Sequence, residues 1–181
     1  MKALIVVDYQ YDFIAEDGAL PVAGAGDAIE QNIVDRTKQY NIADIYFTLD
    51  CHAQDNWSDA SDHPEGKIFP PHCLQGTKGY EVFGALKDID APQANYLNKR
   101  AYAPNAQHLN MLVDKYTEIE LCGVVTDICV FQTAIALYTT AVNSKKQLKL
   151  SIRRNCCASF NPEREEFALT YLKEVLGCEV E

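Results

Sequence analysis

Four residues of this chain combine reactive chemistry with one kind of position. Asp8, Asp50, Lys99 and Cys129 each stand at or just past the end of a strand-like apolar run. A thiol, a carboxylate and an ammonium are the parts of an activated nucleophile with its base and its charge partner. Cys129 lies in Leu121-Cys122-Gly123-Val124-Val125-Thr126-Asp127-Ile128-Cys129-Val130, which reads as a strand end, a tight turn and the first turn of a helix. Thr126 or Asp127 is placed to cap that helix by accepting its free N–H groups. At a helix start the dipole and the unpaired donors favour thiolate over thiol. Most free cysteines are small buried hydrophobes, and this chain has seven, so position rather than residue type singles out Cys129. A cysteine nucleophile usually pairs with histidine. Here His52, His63 and His72 share one segment and His108 lies away from any strand end, which leaves Asp8 as the better base.

That shared segment runs from Cys51 to Tyr80 with little periodicity. Long structureless loops in compact domains are usually functional. Asp50-x-His52 puts two ligands on one side of an extended segment, since side chains alternate along it. His72, after the rigid Pro70-Pro71, adds a second imidazole, and an acidic residue between them completes a set. Imidazole with carboxylate suits Zn²⁺, with Mn²⁺ or Fe²⁺ as alternatives. Cys51 and Cys73 flank these positions and are alternative ligands, although Cys51 points away from the side that Asp50 and His52 share.

The elements that must position these groups alternate along the chain. Ala3–Val7 is a continuous apolar run, the mark of a strand buried on both faces of a parallel sheet. Ala28, Ile29, Ile33 and Val34 mark a helix running to about Tyr40. Ile45, Phe47 and Leu49 give a second strand ending at Asp50, and Ala94–Leu97 a third, just before Lys99. A helix over Leu109–Tyr116 precedes the Cys129 strand. Phe131, Ala134, Ile135 and Tyr138 fall on one face of the next helix. Gln147–Ile152 alternates as a strand near the sheet edge would. Asn161-Pro162 starts a helix that Ala168, Tyr171, Leu172 and Val175 carry to Gly177, and Cys178–Val180 forms a last strand. This alternation predicts a parallel sheet wrapped by helices, whose strand ends share one edge. Glu118 and Glu120 make the strand before Cys129 look half exposed.

Composition narrows the function. A chain of 181 residues fits one domain, residues 1–181, with a full core. Its net charge of −10 argues against nucleic acid and anionic membrane surfaces as partners. No stretch approaches a membrane span. The Ala3–Val7 run is too short for a secretory signal, so seven free thiols in a reduced, cytoplasmic protein are expected, and the Asn56-Trp57-Ser58 sequon is a chance match. A small-molecule substrate is expected, with a homo-oligomer as the assembly.

With these residues in view, the chain resembles the nicotinamidase group of the isochorismatase-like cysteine hydrolases. The matching stretches are Asp8-Tyr9-Gln10-Tyr11-Asp12-Phe13, Asp50-Cys51-His52, His63-Pro64-Glu65-Gly66-Lys67-Ile68-Phe69-Pro70-Pro71-His72, Asn98-Lys99-Arg100 and Gly123-Val124-Val125-Thr126-Asp127-Ile128-Cys129. They span nearly the whole chain in order. The resemblance implies a single-domain α/β fold with a six-stranded parallel sheet in order 3-2-1-4-5-6 and helices on both faces. It implies Asp8 as base, Lys99 as its partner and Cys129 as nucleophile. It implies one divalent transition metal per chain, at Asp50, His52, Glu65 and His72, holding the ring nitrogen of nicotinamide. Asp55, Asp59 and His63 are the alternatives to Glu65, because the interval from His52 to Glu65 is long and carries Trp57. A cis Val125–Thr126 bond, an oxyanion hole from Val125, Thr126 and Cys129, and a pocket of Phe13, Phe69 and Tyr102 are also implied. The expected reaction is hydrolysis of nicotinamide to nicotinate and ammonia through a cysteine thioester, in NAD salvage. A related amidohydrolase acting on another small amide or ureido compound is the alternative. Isochorismate hydrolysis would leave Cys129 without a task, and a non-catalytic binding module would not need all three triad residue types.

Overall fold

Every strand of the sheet lies parallel to its neighbours. In the computed structural model, which describes residues 1–54, 57 and 64–181, the strands are β1 (Lys2–Val7), β2 (Ile45–Asp50), β3 (Tyr96–Lys99), β4 (Glu118–Val124), β5 (Lys149–Ala158) and β6 (Glu179–Val180). Their order is β3-β2-β1-β4-β5-β6, as the resemblance implied. The helices are α1 (Tyr11–Ile14), α2 (Ala25–Thr37), α3 (Ala106–Lys115), α4 (Phe131–Asn143) and α5 (Pro162–Leu176). Residues Ala3 to Val7 are fully buried, as expected of a central parallel strand covered on both faces. Among the described residues no helix is long and apolar enough to cross a membrane, and all seven cysteines are free.

Glu118 and Glu120 do not place β4 at an edge. The strand runs between β1 and β5, and the Glu120 side chain is buried. Its carboxylate binds the Arg36 guanidinium from α2 and accepts from Arg153 Nη2 of β5 at 3.2 Å. A buried charge is tolerated when paired and hydrogen-bonded, and these partners hold the Glu120 carboxyl below its ordinary range against burial.

The helix faces depart from expectation in an instructive way. On α4 the buried residues are Thr133, Ala134, Leu137 and Ala141. Phe131 and Ile135 are half-buried and Tyr138 is exposed. On α5 the buried face is Ala168, Leu169 and Leu172, with Tyr171 and Val175 outside. Both helices carry more apolar residues than the sheet covers, so periodicity alone picked a stripe that includes the outer face.

Two switches of direction set the site at the carboxyl edge. Gly123 has φ +105°, and a Cβ there would lie 2.2 Å from the Val7 carbonyl oxygen, so only glycine lets β4 pass β1 so closely. Beyond β2, His52 N–H donates to the Cys73 carbonyl at 3.2 Å and Gln75 N–H to the His52 carbonyl at 2.8 Å. That short parallel bridge closes the Cys51–Tyr80 segment on itself and carries His72 back to His52.

Candidate active site

The carboxyl ends of β1, β2, β3 and the turn after β4 deliver the reactive groups to one place. Asp8 follows β1 with φ +49°, a left-handed conformation that Asp adopts more readily than most residues. Its Oδ1 accepts from Thr48 Oγ1 at 2.7 Å. Lys99 ends β3 and its Nζ stands 2.7 Å from Asp8 Oδ2, 3.3 Å from Asp50 Oδ1 and 3.6 Å from Cys129 Sγ. Both Asp8 and Lys99 are buried. Burial alone would push the ammonium toward neutrality, but the Asp8 and Asp50 carboxylates raise it well above an ordinary lysine. Burial pushes Asp8 up from the usual carboxylate range, with Lys99 pulling against it, which makes it a stronger base than an exposed aspartate.

Cys129 lies in a π-helical turn, Thr126–Val130, ahead of α4. Neither expected cap forms. Thr126 Oγ1 donates to Glu165 Oε1 at 2.8 Å. Asp127 accepts from Ser159 Oγ and pairs with Arg164 Nε at 2.9 Å. Both side chains tie the turn to α5 and its approach instead. Burial drives the Cys129 thiol well above the ordinary value, and Asp8 and Asp50 add to the rise against Lys99. The cis peptide bond joins Val124 to Val125, one bond before the expected position, because β4 continues to Val124 and the turn starts at its end.

The second cluster comes from the loop. His52 Nε2 lies 3.1 Å from Asp50 Oδ2 and 3.2 Å from Glu65 Oε1, and His72 Nε2 lies 3.3 Å from the same Asp50 oxygen. Ligand atoms of Asp50, His52 and His72 all fall within 4.8 Å of one another. Glu65, in the 3₁₀ turn Pro64–Lys67, thus joins the cluster. Asp55, Asp59 and His63 lie outside the described residues. His72 Nδ1 is 2.8 Å from the Pro70 carbonyl oxygen. A carbonyl only accepts, so Nδ1 carries a proton and Nε2 is the nitrogen turned to Asp50; against burial, that carboxylate and the Pro70 carbonyl raise the imidazole above its ordinary range. Burial and then the Asp50 charge push Glu65 up. Asp50 contacts both imidazoles and Glu65 contacts His52, and this set of carboxylate and imidazole donors is one that a divalent cation fits.

Phe13, Phe69 and Tyr102 line one small cavity together with Leu20, Asp50, Glu65, His72, Val125, Ile128, Cys129 and Phe160. Cys129, the carboxylate–imidazole cluster and the aromatic walls therefore share a single space. Sequence reasoning missed Leu20, Ile128 and Phe160. Ile128 adjoins Cys129 and Phe160 closely follows β5, so the carboxyl-edge rule was a usable signal for both. It also missed Trp57, whose ring meets His52 and His72 edge-on at 4.9 and 5.0 Å. Its Nε1 donates to the Phe69 carbonyl at 3.0 Å. Gly66 admits this crossing, since a Cβ there would lie 2.3 Å from the Trp57 carbonyl oxygen.

Gln10 is the other unforeseen residue. Its buried amide donates to the Asp50 carbonyl at 2.9 Å and the Tyr80 carbonyl at 2.8 Å, and accepts from Asp50 N–H at 2.7 Å. It grips both sides of the backbone that carries Asp50. Residues behind a ligand typically change metal affinity 10–100-fold. Gln10→Ala is expected to weaken Zn²⁺ binding by about that factor, read by calorimetric titration of the refolded apoprotein. Unchanged affinity in a folded variant would show that the clamp does not tune the cluster.

The family model described as Isochorismatase domain matches residues 2–180. A nicotinamidase/pyrazinamidase structure from Bacillus subtilis aligns at TM-score 0.84 and 35% identity, covering 99% of this chain and 98% of that one. The pyrazinamidase/nicotinamidase from Streptococcus mutans aligns at TM-score 0.84 and 35% identity, covering 100% of both. A Pyrococcus horikoshii pyrazinamidase in complex with zinc aligns at TM-score 0.76 and 28% identity, covering 99% and 98%. Sheet order, the Cys129 turn and the family match over residues 2–180 agree, and the chain belongs to the Isochorismatase domain family.

Proposed function

We propose that this protein is a nicotinamidase, hydrolysing nicotinamide to nicotinate and ammonia with Cys129 as nucleophile, in the cytoplasm as a step of NAD salvage. The observation that carries this is the meeting of Lys99 with Asp8 at 2.7 Å and with Cys129 at 3.6 Å, where Cys129 lines a cavity shared with His72, Asp50 and Glu65. The activities named for relatives that align over 98% or more of this chain and their own support the substrate.

Asp8 takes the proton of the Cys129 thiol, and Lys99 holds the charges of the pair in balance as it moves. The sulfur attacks the carboxamide carbon, and the carbonyl electrons move to oxygen. Backbone N–H groups of Val125, Thr126 and Cys129 stabilise that oxyanion, an effect worth about 3 kcal/mol per donor. The C–N bond breaks, the proton on Asp8 goes to the departing nitrogen, and ammonia leaves a thioester on Cys129. Water attacks the thioester with Asp8 again as base. The C–S bond breaks and the proton returns to sulfur, leaving nicotinic acid, which ionises.

Asp50, His52, His72 and Glu65 would hold a divalent ion, Zn²⁺ first among the candidates given the zinc-bound relative. When bound it supplies Lewis acidity toward the ring nitrogen. Phe13, Phe69 and Tyr102, which line the cavity, would enclose the flat ring. Acid quenching of protein mixed with nicotinamide, followed by peptide mass spectrometry, should find one nicotinoyl group on Cys129 and none on the other six cysteines. Turnover without any acyl group on Cys129 in single-turnover samples would sink the thioester route.

A further inference from the structure

Trp57 is the chain's single tryptophan, and it packs against the carboxylate–imidazole cluster. Its ring meets the His52 imidazole at 4.9 Å and 86°, and the His72 imidazole at 5.0 Å and 70°. The two imidazoles meet each other at 5.1 Å and 69°. Three rings thus stand mutually edge-on, at separations within the roughly 4.5–7 Å over which such pairs attract. In that arrangement no ring turns without displacing the other two. The indole also reaches the turn that presents Glu65. Its Nε1 donates to the Phe69 carbonyl at 3.0 Å. Phe69 N–H in turn donates to the Glu65 carbonyl at 2.9 Å, and Ile68 N–H to the same carbonyl at 2.8 Å. Gly66 lies so close that a Cβ there would fall 2.3 Å from the Trp57 carbonyl oxygen.

An imidazole binds a metal through one nitrogen, and rotation about its Cβ–Cγ bond takes that nitrogen out of line. Ligands keep their direction when the groups behind them lock their rotamers. We infer that Trp57 is a positioning residue of the metal cluster: its ring sets the orientation of both His52 and His72, and its contacts to Phe69 and Gly66 hold the Glu65 turn beside them. The inference rests on the proposed metal site. It gives a task to the long interval between His52 and Glu65, which supplies this indole.

The test uses the full chain, stripped of metal with a chelator and titrated in a calorimeter. Trp57→Ala should bind Zn²⁺ about 10–100-fold more weakly than the wild type, the range for groups behind a ligand. Trp57→Phe keeps a ring against both imidazoles and should recover most of that affinity. Co²⁺ adds a signature that a merely structural role would not move. Its visible absorption reports coordination geometry, and it should change in Trp57→Ala and return in Trp57→Phe. Its open d shell also quenches a neighbouring indole, whereas Zn²⁺ is d¹⁰. Wild-type tryptophan fluorescence should therefore fall to an endpoint near about one Co²⁺ per chain, and recover when excess Zn²⁺ displaces it. Circular dichroism and thermal melting of each variant verify folding. A folded Trp57→Ala with wild-type affinity and an unchanged Co²⁺ spectrum would overturn the inference and leave the proposed metal site standing. So would Co²⁺ that binds the wild type without quenching, or a Trp57→Phe variant that binds no better than Trp57→Ala. A wild type that takes up neither ion would remove the metal site and the inference together.

Discussion

Cys129→Ala is expected to lower kcat on the order of 10⁶-fold, the scale set when a nucleophile is removed from a hydrolase triad, and Asp8→Asn by about 10²–10⁴-fold. The double variant should be no worse than Cys129→Ala, since groups that act as a unit do not add. The reason lies in the resting state. Burial pushes the Cys129 thiol up, so the proposed route needs Asp8 to take its proton before the sulfur attacks. Alkylation should report this directly. Asp8→Asn should slow iodoacetamide labelling of Cys129 by roughly 100-fold and leave the half-exposed Cys51 unaffected. Asp8→Asn also removes one partner of a buried ion pair, a change that ordinarily costs about 3–5 kcal/mol. Lys99 keeps Asp50 at 3.3 Å, which softens the loss. Thermal melting separates this from the chemistry. If Asp8→Asn turns over normally while folded, another group is the base.

His52→Ala or His72→Ala should remove the metal outright. Elemental analysis of the wild type is expected to find about one divalent ion per chain, as three or four protein ligands imply, and neither variant should hold it after dialysis. Activity should fall at least about 100-fold, the upper range for disturbing even a residue behind the ligands. Glu65→Gln keeps the shape of the side chain but weakens a charged ligand, and should lose about 10–100-fold in affinity. The chain should keep its fold in all three variants, because the cluster hangs on a loop while the sheet is sealed by its own core. A wild type that stays metal-free after incubation with Zn²⁺, Mn²⁺ and Fe²⁺ would contradict this part of the account.

The reach of the sequence was uneven for physical reasons. Ala3–Val7 announced a central strand because both faces are buried, and Asn161-Pro162 announced α5 because a cap and a first-turn proline are local signals; Asn161 does accept from Arg164 N–H at 3.0 Å. The third strand was placed two residues early. A 3₁₀ turn precedes it, pinned by Asn95 Nδ2 donating to the Ala43 and Ile45 carbonyls, and such distant contacts leave no periodic trace. The outer faces of α4 and α5 misled the pattern because an apolar stripe carries no mark of what it packs against. At the site, each residue type was legible, but convergence was not. His52 and His72 meet through a bridge across twenty residues of loop, and Glu65 was insecure until that loop closed. The helix start that favours a Cys129 thiolate is a local feature, whereas the burial that pushes the thiol up is a property of the whole fold.

The most direct test is product analysis with the metal-loaded protein. Nicotinamide should yield nicotinate and ammonia in equal amounts, and benzamide, which lacks the ring nitrogen, should be a far poorer substrate under the same conditions. Absence of ammonia from nicotinamide, alongside release from another small amide, would contradict the account and make this chain an amidohydrolase of different specificity.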